Sequence, residues 1–395
     1  MEENKTGSIK VPFFTASIGK EEEDAVLRVL HSGWLTTGKE ALAFEKEFAA
    51  KVGSPYALAV NSNTSGMVLA MEACGVKAGK AVITTPYTFV STAACARLLG
   101  ADVYFADIEK DSYSIDPSAV ERILASDRGK NVVAIVPVHI GGNLCNMEAI
   151  MALARKYKVR VIEDAAHSFP SPTRLGYAGT IGDAGVFSFY VTKTITTAEG
   201  GMVVTKDAAL AKRMGSMRMH GMDRSTWDRY TSPKASWEYD IIAPGYKYNL
   251  PDLLAALGRA QLAKADLFDT KRKEHVRRYN EAFKDVDFVK LPPTGEGNAW
   301  HLYLMRLDLS RLRCDRNTFA KELQARGVGI SVHFIPIFHF TYWNTLYKGF
   351  DAAHFPNAEQ HYQETISLPL WPDMDSGMID YVVSCVKELG EKYHG

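Results

Sequence analysis

Short apolar runs trade places with helically spaced stretches along the first half of the chain. Residues 20–32 set Ala25, Val26, Val29 and Leu30 at helical intervals, with acidic residues in the first turn and Gly33 just past the end, which predicts a helix. Apolar, β-branched runs at 56–60, 81–85, 102–106, 132–138 and 159–163 predict strands, and 64–75, 90–99 and 147–157 between them predict helices. Repeated alternation of this kind predicts an α/β fold, a parallel sheet with helices on both faces and right-handed crossovers. Ligands of such sheets sit at the carboxyl ends of the strands. The pattern changes around Pro244 and Pro251, where a long helical region, 252–284, begins and is suited to link two domains. A strand at 301–307, a helix at 316–326, a strand at 329–334 and a helix at 378–392 follow. We expect a large domain over 1–250, then interdomain helices and a smaller α+β domain over 251–395, because 395 residues exceed what one hydrophobic core usually supports.

Composition narrows the partners. Apolar residues make up 46% and charged residues 23%, as in an ordinary globular protein, and Lys+Arg and Asp+Glu both number 46. That balance leaves no electrostatic footprint for nucleic acid or an anionic membrane, so small molecules are the expected partners. The polar start and the lack of a long apolar run lead us to expect a cytoplasmic protein without membrane insertion. Five scattered cysteines without a Cys-x-x-Cys pair suggest reduced thiols rather than disulfides or a zinc site, and no metal is expected.

Two residues carry candidate chemistry. Lys193 follows the apolar run Gly185-Val-Phe-Ser-Phe and precedes Gly200-Gly201, and Asp164 ends the run Val159-Arg-Val-Ile-Glu. A lysine after a strand is commonly a solvated loop residue, and an aspartate there is commonly a helix cap. Together they are what pyridoxal phosphate (PLP) needs: an amine to form a Schiff base and a carboxylate to keep the pyridine nitrogen protonated. Asn61-Ser-Asn-Thr-Ser-Gly66 lies between a strand and a helix, where free N–H groups and the helix dipole favour a phosphate, although a capping run without a ligand fits equally well. Ser188 would add a hydroxyl to the same phosphate. Phe89 suits either stacking on the pyridine ring or core packing.

The motifs Ser32-Gly-Trp-Leu-Thr-Thr-Gly38, Asn61-Ser-Asn-Thr-Ser-Gly-Met67, Glu163-Asp-Ala-Ala-His167, Phe187-Ser-Phe-Tyr-Val-Thr-Lys193, Ala198-Glu-Gly-Gly201 and Gly245-Tyr-Lys-Tyr-Asn249 occur in one order, followed by Asn298-Ala-Trp-His301, Val332-His-Phe-Ile-Pro336 and Ser367-Leu-Pro-Leu. This set resembles the DegT/StrS-type sugar aminotransferases over nearly the whole chain. The resemblance implies PLP fold type I, like aspartate aminotransferase, with a mostly parallel seven-stranded sheet. It implies that Lys193 binds the cofactor covalently, Asp164 pairs with the pyridine nitrogen, His167 approaches the ring hydroxyl and Phe89 stacks on the ring. Asn63, Thr64, Ser65 and Ser188 would hold the phosphate, and Trp34, Thr36, Thr37, Gly38 and His333 would border the substrate pocket, with basic groups at 224–229 nearby. The implied activity moves an amino group from L-glutamate, leaving 2-oxoglutarate, to a nucleotide-linked keto sugar. PLP would cycle through pyridoxamine phosphate (PMP), in a homodimer with shared sites.

The chain departs from the family pattern in two places. Asn63 stands where glycine is common, which we attribute to the ease with which Asn adopts left-handed backbone. Lys247 and Asn249 stand where Asn and Arg are common, so the cross-subunit phosphate contact falls to either, with Asn249 preferred. A PMP-dependent sugar dehydratase is the nearest alternative, but there the family replaces the lysine by histidine. A catalytically silent regulatory homologue would have lost Lys193 or Asp164.

Overall fold

The computed structural model describes residues 10–223, 238–347 and 349–395. A seven-stranded sheet runs in the order Tyr56–Val60, Gly201–Thr205, Ala184–Ser188, Arg160–Asp164, Val132–Ile135, Ala81–Thr84, Asp102–Phe105. Only Gly201–Thr205 is antiparallel to its two neighbours; the other six strands share one direction. Parallel neighbours need a crossover element, and the chain between Ser188 and Gly201 forms no helix, so it returns antiparallel. The sheet is thus the mostly parallel one expected.

The strands are nearly continuous in apolar residues because both faces are covered. Val60, Met67, Val82, Ile162, Val186 and Val203 belong to one buried cluster, and Phe44, Phe48, Phe169, Phe187 and Phe189 to another on the opposite face. Helix Lys39–Val52 feeds the second cluster through Ala41, Phe44, Phe48 and Val52, spaced three and four apart. Helix Asn63–Ala73 packs unusually close to the sheet. A Cβ on Gly66 would lie 2.6 Å from Val186 Cγ1, and one on Gly201 would lie 2.8 Å from the backbone nitrogen of Asn63.

The C-terminal part is built on an antiparallel three-stranded sheet of Val289–Lys290, Tyr303–Leu307 and Thr365–Leu368. Helices Ala265–Phe283, Arg316–Ala325 and Ser376–Tyr393 contribute Tyr279, Phe283, Phe319, Val382 and Val386 to its core. Val11 joins that core, held by Val11 N to Gly327 O at 3.1 Å and Gly329 N to Val11 O at 2.7 Å.

Two sequence expectations are corrected. The helical region 252–284 is two helices, Asp252–Ala263 and Ala265–Phe283, separated at Lys264 (φ −97°, ψ −1°). The strand expected at 329–334 is not one: Ser331 makes a single bridge to Ser367, and residues 332–335 line a cleft. Among the described residues no helix is long and apolar enough to cross a membrane, and the five cysteines are unpaired thiols.

Candidate active site

Strand Arg160–Asp164 ends with two carboxylates that alternation sends to opposite faces. Glu163 turns into the interior, where it accepts hydrogen bonds from the backbone N–H groups of Gly179, Ile181 and Gly182 at 2.6–2.7 Å and meets His139 Nε2 at 2.9 Å. His139 Nδ1 accepts from Cys145 N, which leaves the ring proton on Nε2, facing Glu163. Asp164 instead reaches the floor of a cleft of about 550 Å³. Its Oδ2 accepts from Thr92 Oγ1 at 2.7 Å, and its Oδ1 from Ala166 N at 3.2 Å and Asn63 Nδ2 at 3.4 Å. Burial pushes the Asp164 carboxyl above the usual range, while the bonds from Thr92 and Ala166 and the charge of Lys193 pull it back.

Lys193 lies in the same cleft, five residues past the strand Ala184–Ser188, which pairs Val186 with Asp164. Its turn is closed by Lys193 N donating to Tyr190 O at 2.9 Å. Burial brings the amine down to about 8, with Asp164 opposing. The N-terminus of helix Asn63–Ala73 forms a third side. Ser62 caps it by accepting from Ser65 N at 3.1 Å, and Ser62, Asn63 and Thr64 line the cleft together with Ser188. Asn63 is not left-handed, as its departure from glycine suggested. It begins the helix, and its side chain spans Asp164 and the carbonyl of Val186, the latter at 3.0 Å. Ser65 is buried away from the cleft, its hydroxyl donating to Asn61 Oδ1 at 2.6 Å and lying 2.9 Å from Ser62 Oγ.

Three histidines form the facing wall. Gly141 N donates to His167 Nδ1 at 3.1 Å, which fixes the proton on Nε2. The His167 ring stacks on Phe334 at 5.6 Å and lies 4.4 Å from His301. His333 Nδ1 lies 2.8 Å from Ser367 Oγ, and its ring stacks on Phe13 at 5.8 Å. Burial, then the charge of Lys193, pushes His167 well below its ordinary value and His333 down to about 4. Phe89 is 59% exposed at the cleft and tilts toward Phe334 at 6.2 Å, so core packing does not explain it.

The structure therefore gathers Asn63, Thr64, Phe89, Asp164, His167, Ser188, Lys193 and His333 around one cleft. Trp34, Thr36, Thr37, Gly38, Lys247 and Asn249 do not line the cleft of their own chain. Thr36, Thr37 and Gly38 are tied instead to the segment 249–252. Asn249 Nδ2 donates to Thr37 Oγ1 at 2.6 Å, Thr37 Oγ1 to Leu250 O at 2.6 Å, and Gly38 N to Asp252 Oδ1 at 2.7 Å, while Lys247 is exposed, its amine 3.4 Å from Met219 Sδ. Tyr246 and Tyr248, which flank Lys247, stack on one another at 4.7 Å and are half-buried. The basic groups at 224–229 lie outside the described residues. Sequence reading missed Thr92, Tyr190, Glu199 and His301, although the last three stand in the motifs quoted above and offered that signal.

An amine, a buried carboxylate, hydroxyls at a helix N-terminus and an exposed aromatic face make up the donor set that PLP requires. Fold and cleft together define a PLP enzyme of fold type I. The chain belongs to the DegT/DnrJ/EryC1/StrS aminotransferase family, whose sequence model matches residues 16–387. It is 41% identical over 382 residues to the spore coat polysaccharide biosynthesis protein SpsC of Bacillus subtilis, covering 96% of this chain and 97% of that protein. Among solved structures it is similar to Helicobacter pylori PseC, an aminotransferase involved in the biosynthesis of pseudoaminic acid (TM-score 0.87, 30% identity, 98% of this chain and 100% of that one). It is also similar to Spr1654 of Streptococcus pneumoniae, a provisionally assigned sugar aminotransferase, in its PMP form (TM-score 0.90, 26% identity, 97% and 100%) and its PLP form (0.88, 27%, 97% and 99%). The protein is an aminotransferase of this sugar-modifying family.

Proposed function

We propose that the protein moves the amino group of L-glutamate to a nucleotide-linked 4-keto sugar in a ping-pong reaction, with PLP held at Lys193. The observation that carries this reading is the convergence of Asp164, at the end of one strand, and Lys193, just past the adjacent strand, on a cleft bordered by a helix N-terminus and by Phe89. When bound, PLP supplies an electron sink for the donor's α-carbon and carries the amino group between the two half-reactions as PMP. Asp164 would hold the protonated pyridine nitrogen, and His167, with its proton on Nε2, would serve as a donor to the cofactor's ring oxygen. Thr64, Ser188 and the helix N-terminus would hold the phosphate. The Lys193 amine, at about 8, exchanges its proton near neutral pH and so serves as the base at the α-carbon.

A second copy completes each site in this reading. Lys247 and Asn249 stand outside their own cleft, and a twofold arrangement would bring one copy's 245–249 loop to the other's phosphate group. Trp34–Gly38, fastened to that loop, would then border the nucleotide. The sugar class is supported by what PseC and SpsC are said to make. Lys193 disfavours the dehydratase alternative, and the intact Lys193 and Asp164 disfavour a silent homologue.

The test is a spectroscopic assay of the PLP-loaded protein with glutamate, followed by a panel of nucleotide-linked keto sugars. Glutamate should convert the bound cofactor to PMP, and a 4-keto sugar should reverse the change. Reversal by simple keto acids other than 2-oxoglutarate, and by no sugar, would make the protein an amino-acid aminotransferase.

A further inference from the structure

Arg272, on helix Ala265–Phe283, is 1% exposed and makes no ion pair among the described residues. Its Nη1 donates to the carbonyls of Leu370 at 2.9 Å and of Trp300 and His301 at 3.3 Å, and its Nε has no partner. Burial brings it down to about 10, opposed only by Asp269. Burying a cation with so little compensation is costly. What it holds is the turn 298–301, in which Trp300 has φ +45° and donates its N–H to Asn298 Oδ1 at 2.8 Å.

That turn delivers His301 to the cleft. The residue is 4% exposed, its ring lies 4.4 Å from that of His167, and its Nδ1 has no hydrogen-bond partner. A buried polar nitrogen left without a partner is costly, a cost that a ligand reaching the ring from the cleft would offset. We infer that His301 is a further substrate-contacting residue, bonding a hydroxyl or carbonyl oxygen of the keto sugar, and that Arg272 is the positioning residue that holds it there. Burial, reinforced by the positive charges of Lys193 and Arg272, pushes His301 well below its ordinary value and so keeps it neutral. A neutral imidazole offers one donor and one acceptor, which suits a sugar hydroxyl and serves a carboxylate poorly. The inference rests on the sugar reading of the same site.

The experiment measures the two half-reactions separately on PLP-loaded wild type, His301→Ala, His301→Gln and Arg272→Met, and the affinity of cofactor-free protein for the nucleotide keto sugar by calorimetry. Borohydride labelling at Lys193 and thermal unfolding check that each variant is folded and loaded. For His301→Ala the sugar half-reaction and sugar affinity should fall about tenfold or more, and by clearly more than the glutamate half-reaction. His301→Gln should recover part of the loss, and Arg272→Met should weaken the same half. A sugar half-reaction at the wild-type rate in both His301 variants, or equal losses in both halves, would overturn the inference while leaving the sugar reading intact. Wild type that reacts with no nucleotide keto sugar would overturn both.

Discussion

The hydroxyl of Thr92 donates to Asp164 Oδ2 at 2.7 Å, both residues being buried beneath the cleft, and Thr92 is in turn 3.0 Å from Thr88 Oγ1. This bond lowers the Asp164 pKa against the effect of burial. Thr92→Val should let the carboxyl keep its proton to higher pH, so PLP affinity, titrated on cofactor-free protein, should fall about tenfold or more. The deficit should shrink as pH rises. An unchanged affinity across the pH range would show that Thr92 only fills space.

Asp164 itself is costly to the empty protein. Its folded pKa lies above its unfolded one, so its favourable contribution exists at acid pH and is lost as pH rises through the folded value. Cofactor-free Asp164→Asn should therefore unfold at the same temperature as wild type or higher near neutral pH, while its transamination falls roughly tenfold or more. A lower unfolding temperature together with normal turnover would make the carboxylate structural.

Lys193 should be the protein's most reactive lysine. With the amine at about 8 instead of a lysine's ordinary 10.5, its neutral form grows in as pH rises through about 8, well before surface lysines deprotonate. Competitive acetylation of cofactor-free protein, read by mass spectrometry on the peptide bearing Lys193, should give that midpoint. A midpoint near 10.5 would contradict the burial argument.

Much of this was legible in the chain. Asp164 ends a β-branched run and Lys193 follows an apolar one, so their placement at or just past strand ends followed from local pattern alone, and the strand–helix alternation gave the sheet. What was not legible depends on contacts between distant residues. The reversal of Gly201–Thr205 follows from a connection without a helix, and the 329–334 segment keeps strand-like residues but finds only single-residue pairing. Phe89 remained open between core and cleft until its 59% exposure decided it. Asn63 suggested backbone tolerance, yet its role lies in its side chain, which reaches Asp164 from 101 residues away. His301 owes its place to Arg272, and no local spacing reveals that.

Gly201 sets how closely helix Asn63–Ala73 approaches the sheet. Gly201→Ala would place a Cβ 2.8 Å from Asn63 N and 2.8 Å from Phe187 O, so the helix N-terminus must move. We expect a destabilisation of about 1–3 kcal/mol in thermal unfolding. PLP affinity should fall too, because the Asn63 and Thr64 groups shift with the helix. Unaltered stability and affinity would mean that the close approach is dispensable.

The central claim is that Lys193 holds the cofactor and moves the proton. Borohydride reduction of the PLP-loaded protein, followed by peptide mass spectrometry, tests it most directly. A pyridoxyl adduct on the peptide containing Lys193 is predicted, absent in Lys193→Ala together with all transamination. An adduct on a different lysine, or turnover surviving in Lys193→Ala, would contradict the account.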